Sequence, residues 1–157
     1  MPAITPFLWF DTNALEAAEF YATVFPDSKI GQVTYYGDNA PMPKGHVMTV
    51  AFELDGKPFF ALNGGPAHTF SYGISLVVEC AGQAEIDYYW EKLSAGGKEI
   101  ACGWLSDKYG VPWQIVPAGF GRFFASDHPA KANAAMQAMM TMVKFDLAAL
   151  QKAWDEA

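Results

Sequence analysis

The sequence predicts an α+β protein made of two copies of one βαβββ unit, followed by a helical tail. Short segments in which apolar and polar residues alternate indicate strands, and longer segments with apolar residues at helical spacing indicate helices. The order of segments in residues 3–66 recurs in residues 72–118, and Glu19-Phe20-Tyr21 is echoed by Asp87-Tyr88-Tyr89. Such a repeat predicts two supersecondary units that pack together to bury their apolar faces.

Length and composition favour one domain spanning residues 1–157. Of the 157 residues, 52% are hydrophobic, which is enough for a substantial core. The net charge is −7 and Arg122 is the only arginine, which argues against nucleic-acid binding because phosphate contacts require Lys and Arg. The sequence has no apolar run of the roughly 18–20 residues that span a bilayer, and its start lacks the features of a secretion signal. We therefore expect a cytoplasmic protein.

The first module, about residues 3–66, carries clear signals at its helix and its hairpin. Asp11-Thr12-Asn13 offers capping side chains for the helix. Asp55-Gly56 is typical of the tight turn of a β-hairpin. The predicted elements are a strand at residues 4–10, a helix at 14–25, and strands at 29–36, 46–54 and 57–63.

The second module, about residues 72–118, ends in a hairpin at residues 103–117. Its turn is Asp107-Lys108-Tyr109-Gly110, in which Gly110 can supply the positive φ that such a turn often needs. The elements before the hairpin are a strand at residues 73–80, a helix at 83–95 that ends at Gly96-Gly97, and a strand at 98–102.

The tail, about residues 126–156, is predicted to be helical. Ser126 or Asp127 can cap a first helix with Pro129 just inside it, and Asp146 can cap a second, shorter helix. The first helix carries a methionine-rich stripe that runs to Val143, which is typical of a core or of a contact between subunits.

Gln114 is the unusual residue of the second hairpin, because it is an uncharged amide in an apolar strand. Alternation places Gln114 on one face with Pro112 and Val116, and it places Trp113 and Ile115 on the other face. An oriented amide among apolar side chains is typical of a small-molecule pocket. Cys80 and Cys102 form no motif and fit small core positions.

Seven short motifs follow one another along the chain: residues 5–11 (TPFLWFD), 19–21 (EFY), 25–28 (FPDS), 52–56 (FELDG), 60–66 (FALNGGP), 102–104 (CGW) and 107–117 (DKYGVPWQIVP). Together they resemble the PhnB-like branch of the vicinal oxygen chelate (glyoxalase/bleomycin-resistance/dioxygenase) superfamily, whose members are often labelled 3-demethylubiquinone-9 3-methyltransferase. The resemblance covers nearly the whole chain. It implies paired modules that form a curved mixed sheet around a cavity, with helices on the convex side, in a homodimer.

The resemblance also implies a metal held by the inward faces of four strands. Aligned by strand start and by the Phe-Tyr pair of the helix, the four positions are Pro6, Ala61 (Leu62 or Asn63 if the register slips), Gly73 and Gln114. Side chains of proline, alanine and glycine cannot coordinate a divalent cation. The remaining amide oxygen falls short of the three or more ligands that a catalytic metal usually has. We therefore predict that neither a metal nor another cofactor binds.

These arguments predict a metal-free protein that binds a small, partly apolar molecule in the cavity, and neither nucleic acid nor membrane. Asn63, Ser75 and Gln114 are expected to supply the oriented hydrogen bonds that such pockets use. The predicted pocket residues are Leu8, Phe10, Phe59, Asn63, Ser75, Val77 and Gln114 in the walls, with Trp104 and Tyr109 near the rim.

Two enzymatic alternatives stay open. A metal-dependent lyase, isomerase or dioxygenase of the glyoxalase type would use Gln114, Glu53 or Glu79, and His68 as its ligands. Methyl transfer, the activity in the family label, would need a strand, a glycine-rich turn and a helix to hold S-adenosylmethionine. The run Gly64-Gly65-Pro66 follows a predicted strand, but no helix is predicted behind it.

Overall fold

The computed structural model describes residues 1–125 and 127–157. The chain forms two compact units, residues 1–70 (unit 1) and residues 71–157 (unit 2). The boundary between them falls in the loop that joins the two predicted modules. The single domain spanning residues 1–157 stays a prediction.

Unit 1 consists of a four-stranded mixed sheet and a helix. Its elements are β1 (Phe7–Phe10), α1 (Ala14–Val24), β2 (Lys29–Tyr35), β3 (Val47–Leu54) and β4 (Lys57–Asn63). The strand order is β1-β4-β3-β2, in which β1 and β4 are parallel and the other neighbours are antiparallel. The predicted elements of the first module are confirmed. The strand β1 is shorter than expected because Pro6 has no N–H with which to extend the ladder.

The helix α1 is fixed to the sheet by small residues and by one buried amide. Ala14, Ala17 and Ala18 are fully buried, which lets the helix approach the strands closely. The side chain of Asn63, at the end of β4, accepts a hydrogen bond from the N–H of Ala14 (2.8 Å) and donates one to the carbonyl of Val47 (3.1 Å). The prediction that a side chain of Asp11-Thr12-Asn13 caps the helix is wrong. Within the described residues, Asn13, which precedes α1, makes no capping hydrogen bond. The first N–H of the helix is instead bonded to Asn63 of β4.

Unit 2 repeats the same arrangement and adds the tail. Its sheet contains β5 (Leu76–Cys80), β6 (Lys98–Glu99), β7 (Trp104–Ser106) and β8 (Pro112–Pro117), with α2 (Gln83–Ser94) after β5. The strand order is β5-β8-β7-β6, and β5 and β8 are the parallel pair. This order matches that of unit 1 strand for strand. The α+β class and the internal βαβββ repeat are therefore confirmed, with β5 and β6 shorter than predicted.

The hairpin of β7 and β8 is organised by Asp107, a buried carboxylate that is only 3% exposed. Its Oδ1 accepts hydrogen bonds from the N–H of Tyr109 (2.9 Å) and of Val111 (3.0 Å), and its Oδ2 accepts one from Nε1 of Trp113 (2.8 Å). Gly110 has the predicted positive φ, at 88°. The carboxylate thus closes the turn and fixes the following strand in one step.

The tail contains a 3₁₀ helix (Phe120–Phe124), α3 (Pro129–Met140) and α4 (Leu147–Asp155) around a small core of Phe123, Ala135 and Leu150. Pro129 opens α3 as predicted and Asp146 caps α4, accepting from the N–H of Ala149 at 3.0 Å. The cap predicted at Asp127 is wrong, because His128 occupies that position, and Ser126 lies outside the described residues. Within residues 1–125 and 127–157, none of the helices combines the length and apolar character that a membrane span requires.

We expect Asp107→Asn to lower the free energy of unfolding by about 1–3 kcal/mol, because an amide nitrogen at the Oδ2 position would face the buried N–H of Trp113. Urea denaturation would measure the change. Asp55→Asn is the matched control, since Asp55 is an exposed residue in the corresponding hairpin turn of unit 1. That variant should stay within about 0.5 kcal/mol of the wild type. Equal losses in both variants would contradict the role of Asp107.

Candidate ligand-binding face

In unit 2, the helix α2 covers one face of the sheet, and the opposite face is accessible around Val77 but buried at Pro112 and Val116. Trp90 of α2 donates from Nε1 to the Glu99 carboxylate at 2.7 Å, which places the helix on the Glu99 side of the sheet. Because paired residues share a face, Leu105 and Trp113 lie on that covered side, and they are 0% and 3% exposed. Alternation therefore puts Trp104 and Gln114 on the opposite side.

We call this opposite side the open face of unit 2 and define it by Ser75, Val77, Trp104 and Gln114. Val77 and Trp104 are both register partners of Gln114, and Val77 is 54% exposed. Gln114 donates from Nε2 to the hydroxyl oxygen of Ser75 at 2.9 Å. The sequence predicted all four as pocket residues, and the structure brings them together.

The hydrogen bond between Gln114 and Ser75 fixes the polar chemistry of this face. Since the amide nitrogen is oriented toward Ser75, the amide oxygen of Gln114 can accept a hydrogen bond from a ligand, and the Ser75 hydroxyl can donate one. The Tyr72 ring meets Trp104 edge-to-face with centroids 6.2 Å apart, so an aromatic wall flanks the pair. Sequence reasoning missed Tyr72 because it precedes the strand in a loop, where alternation gives no signal.

Tyr109, the ninth predicted residue, lies in the turn between β7 and β8. Its N–H is bonded to Asp107 and the Lys108 ammonium lies 5.4 Å from its ring centroid. The side chain is half-buried. Glu79 lies two residues after Val77 in β5, so the two side chains are on the same face of the sheet. Glu79 is exposed, and its carboxylate adds a negative charge to the open face.

In unit 1 the predicted wall residues lie on the other side of the sheet from the accessible one. Leu8 pairs with Ala61 and Phe10 pairs with Asn63, whose side chain is bonded to α1, so this is the face that the helix covers. Phe59 lies on the same covered face, because it pairs with the buried Phe52 of β3. Phe10, on this face too, is only 2% exposed. The accessible face carries Phe7 and Phe60, which are 54% and 41% exposed with ring centroids 6.0 Å apart.

The pairing of the strands also places the two positions of unit 1, Pro6 and Ala61, that the sequence aligned with metal ligands. Phe7 pairs with Phe60 on the accessible face of unit 1, as Val77 pairs with Gln114 on the opposite side of the unit 2 sheet from α2. The predicted positions Pro6 and Ala61 therefore have the alternation of the covered face. Of the two alternatives to Ala61 that the sequence left open, Leu62 lies on the accessible face and Asn63 lies on the covered face. Whether any of the nine predicted residues contacts a ligand stays a prediction.

The described residues do not fit the metal that the fold suggests. Within residues 1–125 and 127–157, no group of three or more His, Cys, Asp or Glu side chains could hold a metal ion. Glu53 instead pairs with Lys29 at 3.0 Å, and the His68 ring packs edge-on against Trp9 with centroids 4.9 Å apart. On the open face of unit 2, Glu79 is the one residue of the kinds that usually bind a catalytic metal (His, Cys, Asp or Glu) among Ser75, Val77, Glu79, Trp104 and Gln114, whereas such a metal usually has three protein ligands.

Unit 1 also has a pocket of about 290 Å³ beside the start of α1. Asn63 is the only predicted residue in its lining, and its amide is already committed to α1 and β3. Both polar and apolar side chains line the pocket. The other lining residues are Thr12, Asn13, Leu15, Glu16, Met42, His46 and Val47.

The two cysteines are free thiols in different surroundings. Cys80 is fully buried, and this burial, together with the nearby Glu85 carboxylate, raises the pKa of the Cys80 thiol to about 12. Cys102 is half-buried, and its sulfur lies 3.6 Å from the carbonyl of Met139. A thiol with so high a pKa stays protonated and therefore unreactive at ordinary pH.

We expect the native chain to show a single reactive thiol in a titration with 5,5′-dithiobis(2-nitrobenzoic acid) between about pH 7 and 9, and two after unfolding in urea. Cys102→Ser should abolish the native reaction. Cys80→Ser should leave it unchanged. A native reaction that survives in the Cys102→Ser variant would contradict the assigned burial of Cys80.

Comparison with known proteins gives the family. Residues 2–116 match the family model described as 3-demethylubiquinone-9 3-methyltransferase. A PhnB protein from Bacillus cereus that carries the same label is 35% identical, with a TM-score of 0.68, and the match covers 74% of this chain and 100% of that one. The chain belongs to this family. It is thus a PhnB-like member of the vicinal oxygen chelate superfamily, as the sequence motifs predicted.

More distant structures share the fold with this PhnB-like chain. Protein PA1353 from Pseudomonas aeruginosa is 21% identical with a TM-score of 0.62, and the match covers 74% of this chain and 98% of that one. The fosfomycin resistance protein FosX from Listeria monocytogenes, in complex with Mn(II) and sulfate, is 12% identical with a TM-score of 0.50. That match covers 84% of this chain and 97% of FosX. No curated protein matches the sequence.

Proposed function

We propose that this PhnB-like chain binds a small, partly apolar molecule without a metal or another cofactor, as a single domain of residues 1–157. The observation that carries the proposal is the hydrogen-bonded pair of Gln114 and Ser75 on the open face of unit 2, flanked by Val77 and Trp104. A few oriented polar groups among apolar side chains are what small-molecule sites use.

The chemistry of this face favours a neutral ligand with a flat apolar body. The pair offers one acceptor, on Gln114, and one donor, on Ser75, which together complement a carboxamide or a similar group. Trp104 and Tyr72 provide the aromatic wall for the apolar part. The exposed carboxylate of Glu79 disfavours an anion on the same face.

The activity in the family name finds no support in the site. Residues 64–75, all of which are described, connect β4 to β5 without a helix, so the glycine-rich segment lacks the helix N-terminus that commonly holds S-adenosylmethionine. A glyoxalase-type metal reaction would need ligands that the described residues do not bring together. We therefore favour ligand binding over either enzymatic alternative.

Naphthalene-2-carboxamide is a suitable probe, because its amide matches the donor and acceptor and its rings match the aromatic wall. We expect Gln114→Ala to weaken its binding about 3- to 10-fold in isothermal titration calorimetry, since a hydrogen bond is worth roughly 0.5–1.5 kcal/mol. Naphthalene-2-carboxylate should bind the wild type more weakly than the carboxamide. Unchanged affinity in the Gln114→Ala variant would contradict the assignment.

Two further variants make this experiment specific. Gln137→Ala is the matched control, because Gln137 is exposed on α3 and should leave the affinity unchanged. Phe60→Ala tests the accessible face of unit 1, where exposed aromatic rings could hold the naphthalene group. Loss of binding in Phe60→Ala but not in Gln114→Ala would move the site to unit 1 and contradict the proposal.

We also propose that the protein is a cytoplasmic homodimer. The free thiols of Cys80 and Cys102 suit a reducing compartment. An exposed apolar patch around α3, formed by Met136, Met140 and Val143, suits a contact between subunits. Sedimentation equilibrium would test the assembly, and the mass of a single chain would contradict it.

A further inference from the structure

The segment of residues 142–147, between α3 and α4, is fastened to unit 2 through its backbone. We call this segment the strap. The N–H of Cys102 donates to the carbonyl of Met142 (2.9 Å), and the N–H of Gly103 donates to the carbonyl of Val143 (2.8 Å). These two bonds hold the strap on the bend that precedes Trp104.

The start of α2 holds the other end of the strap. The side chain of Gln83 donates from Nε2 to the carbonyl of Phe145 (2.9 Å) and accepts at Oε1 from the N–H of Leu147 (2.8 Å). Lys144 pairs with Asp87 one helical turn further along, at 2.7 Å, and this ion pair lowers the pKa of the Asp87 carboxyl. A single amide that satisfies both a donor and an acceptor of the backbone fixes both the position and the direction of the strap.

Phe145 is the anchor of the strap. Its side chain is 1% exposed and packs against Phe120, with ring centroids 5.1 Å apart. The ring also lies directly on Gly103, where an added Cβ would come within 2.4 Å of a ring carbon. Only glycine at this position admits the ring, so the bend and the anchor fit one another.

The bend under the strap determines where Trp104 enters the sheet. Cys102 and Gly103 are both left-handed, with φ of 58° and 80°. A non-glycine residue keeps such a conformation only where its surroundings hold it. Immediately after the bend, the N–H of Ile115 donates to the carbonyl of Gly103 (2.8 Å), and Trp104 takes its place opposite Gln114. The strap therefore stabilises the conformation that presents Trp104 on the open face.

The strap also lies outside the stretch that the family model matches, which ends at residue 116.

We propose that the strap is a positioning element for the open face of unit 2: Phe145 seated on Gly103, with Gln83 clamping the backbone, holds Trp104 in register with Gln114. Its effect on a ligand rests on the proposed function, whereas its effect on Trp104 does not. Release of the strap loosens the bend and lowers the affinity of the face.

The test uses the full chain labelled with 5-fluorotryptophan and followed by ¹⁹F NMR. The chain has five tryptophans, and the resonance of Trp104 is assigned with Trp104→Phe. We expect Phe145→Ala to shift or broaden the Trp104 resonance. Gln83→Ala should do the same, and it keeps the test valid if the loss of the Phe145 ring unfolds the tail, because it removes only the three hydrogen bonds of one side chain, two to the strap and one to Asp87.

Phe123→Ala is the matched control. Phe123 is also a phenylalanine at 1% exposure, but it packs in the tail core against Trp154, with ring centroids 6.0 Å apart. This variant should move the Trp154 resonance and leave that of Trp104 in place. A Trp104 resonance that is unchanged in both strap variants, or moved equally by Phe123→Ala, would overturn the proposal.

Affinity for naphthalene-2-carboxamide separates this proposal from the proposed function. We expect the strap variants to bind the probe at least about threefold more weakly than the wild type, and Phe123→Ala to bind it as the wild type does. If the Trp104 resonance moves but the wild type does not bind the probe, the strap stands and the proposed function fails. If the probe binds with equal affinity to the wild type and both strap variants, the effect on the ligand is overturned.

Discussion

One helix packed on one face of a four-stranded sheet is the constraint on which the rest of this structure depends. Among the described residues, α1 packs on the sheet of unit 1 and α2 packs on the sheet of unit 2, so each sheet has a face that its helix covers and an opposite face. The covered faces hold fully buried residues such as Ala61 and Leu105. On the opposite faces, Phe7 and Val77 are each more than half exposed.

Two buried polar side chains hold this arrangement in place, and each serves its unit differently. Asn63 joins α1, β3 and β4 through a single amide, whereas Asp107 joins a turn to the indole of Trp113. Both are almost fully buried, so their hydrogen bonds act in surroundings where an unsatisfied partner would be costly. The predicted ligand role of Asn63 has to be weighed against this structural role. Gln114 is half-buried, and among the described residues its side chain is hydrogen-bonded to Ser75 alone. Its amide therefore has more hydrogen-bonding groups left for a ligand than the amide of Asn63 has.

The repeat, the hairpins and the helices could be predicted from the sequence because their signals are local. Asp55-Gly56 and Gly110 determine turns by backbone preference alone, and the alternation around Gln114 correctly gave the open face of unit 2. The faces of unit 1 could not be deduced in the same way. Both sides of β1 are apolar, so alternation does not say which side the helix covers, and a shift of one residue exchanges the two faces.

Long-range contacts were beyond sequence reasoning for a related reason. The capping of α1 by Asn63 spans 49 positions, and the clamp of Gln83 on Leu147 spans 64. Neither leaves a periodic or spacing signal. Asp146, which caps its own helix three residues on, was found because the contact is local. The sequence thus identified which residues carry polar chemistry more reliably than it identified their partners.

The absence of a metal requirement is the central claim for function, since it separates this chain from metal-dependent chemistry on the same fold. Elemental analysis of protein purified without chelators or a metal-affinity tag tests it most directly, paired with thermal unfolding in the presence of zinc, nickel, manganese or iron(II). The account predicts well under about 0.1 metal per chain and no rise in Tm with any of these ions. About one metal per chain, together with a higher Tm when the ion is added, would contradict it, because specific coordination stabilises the native state by mass action.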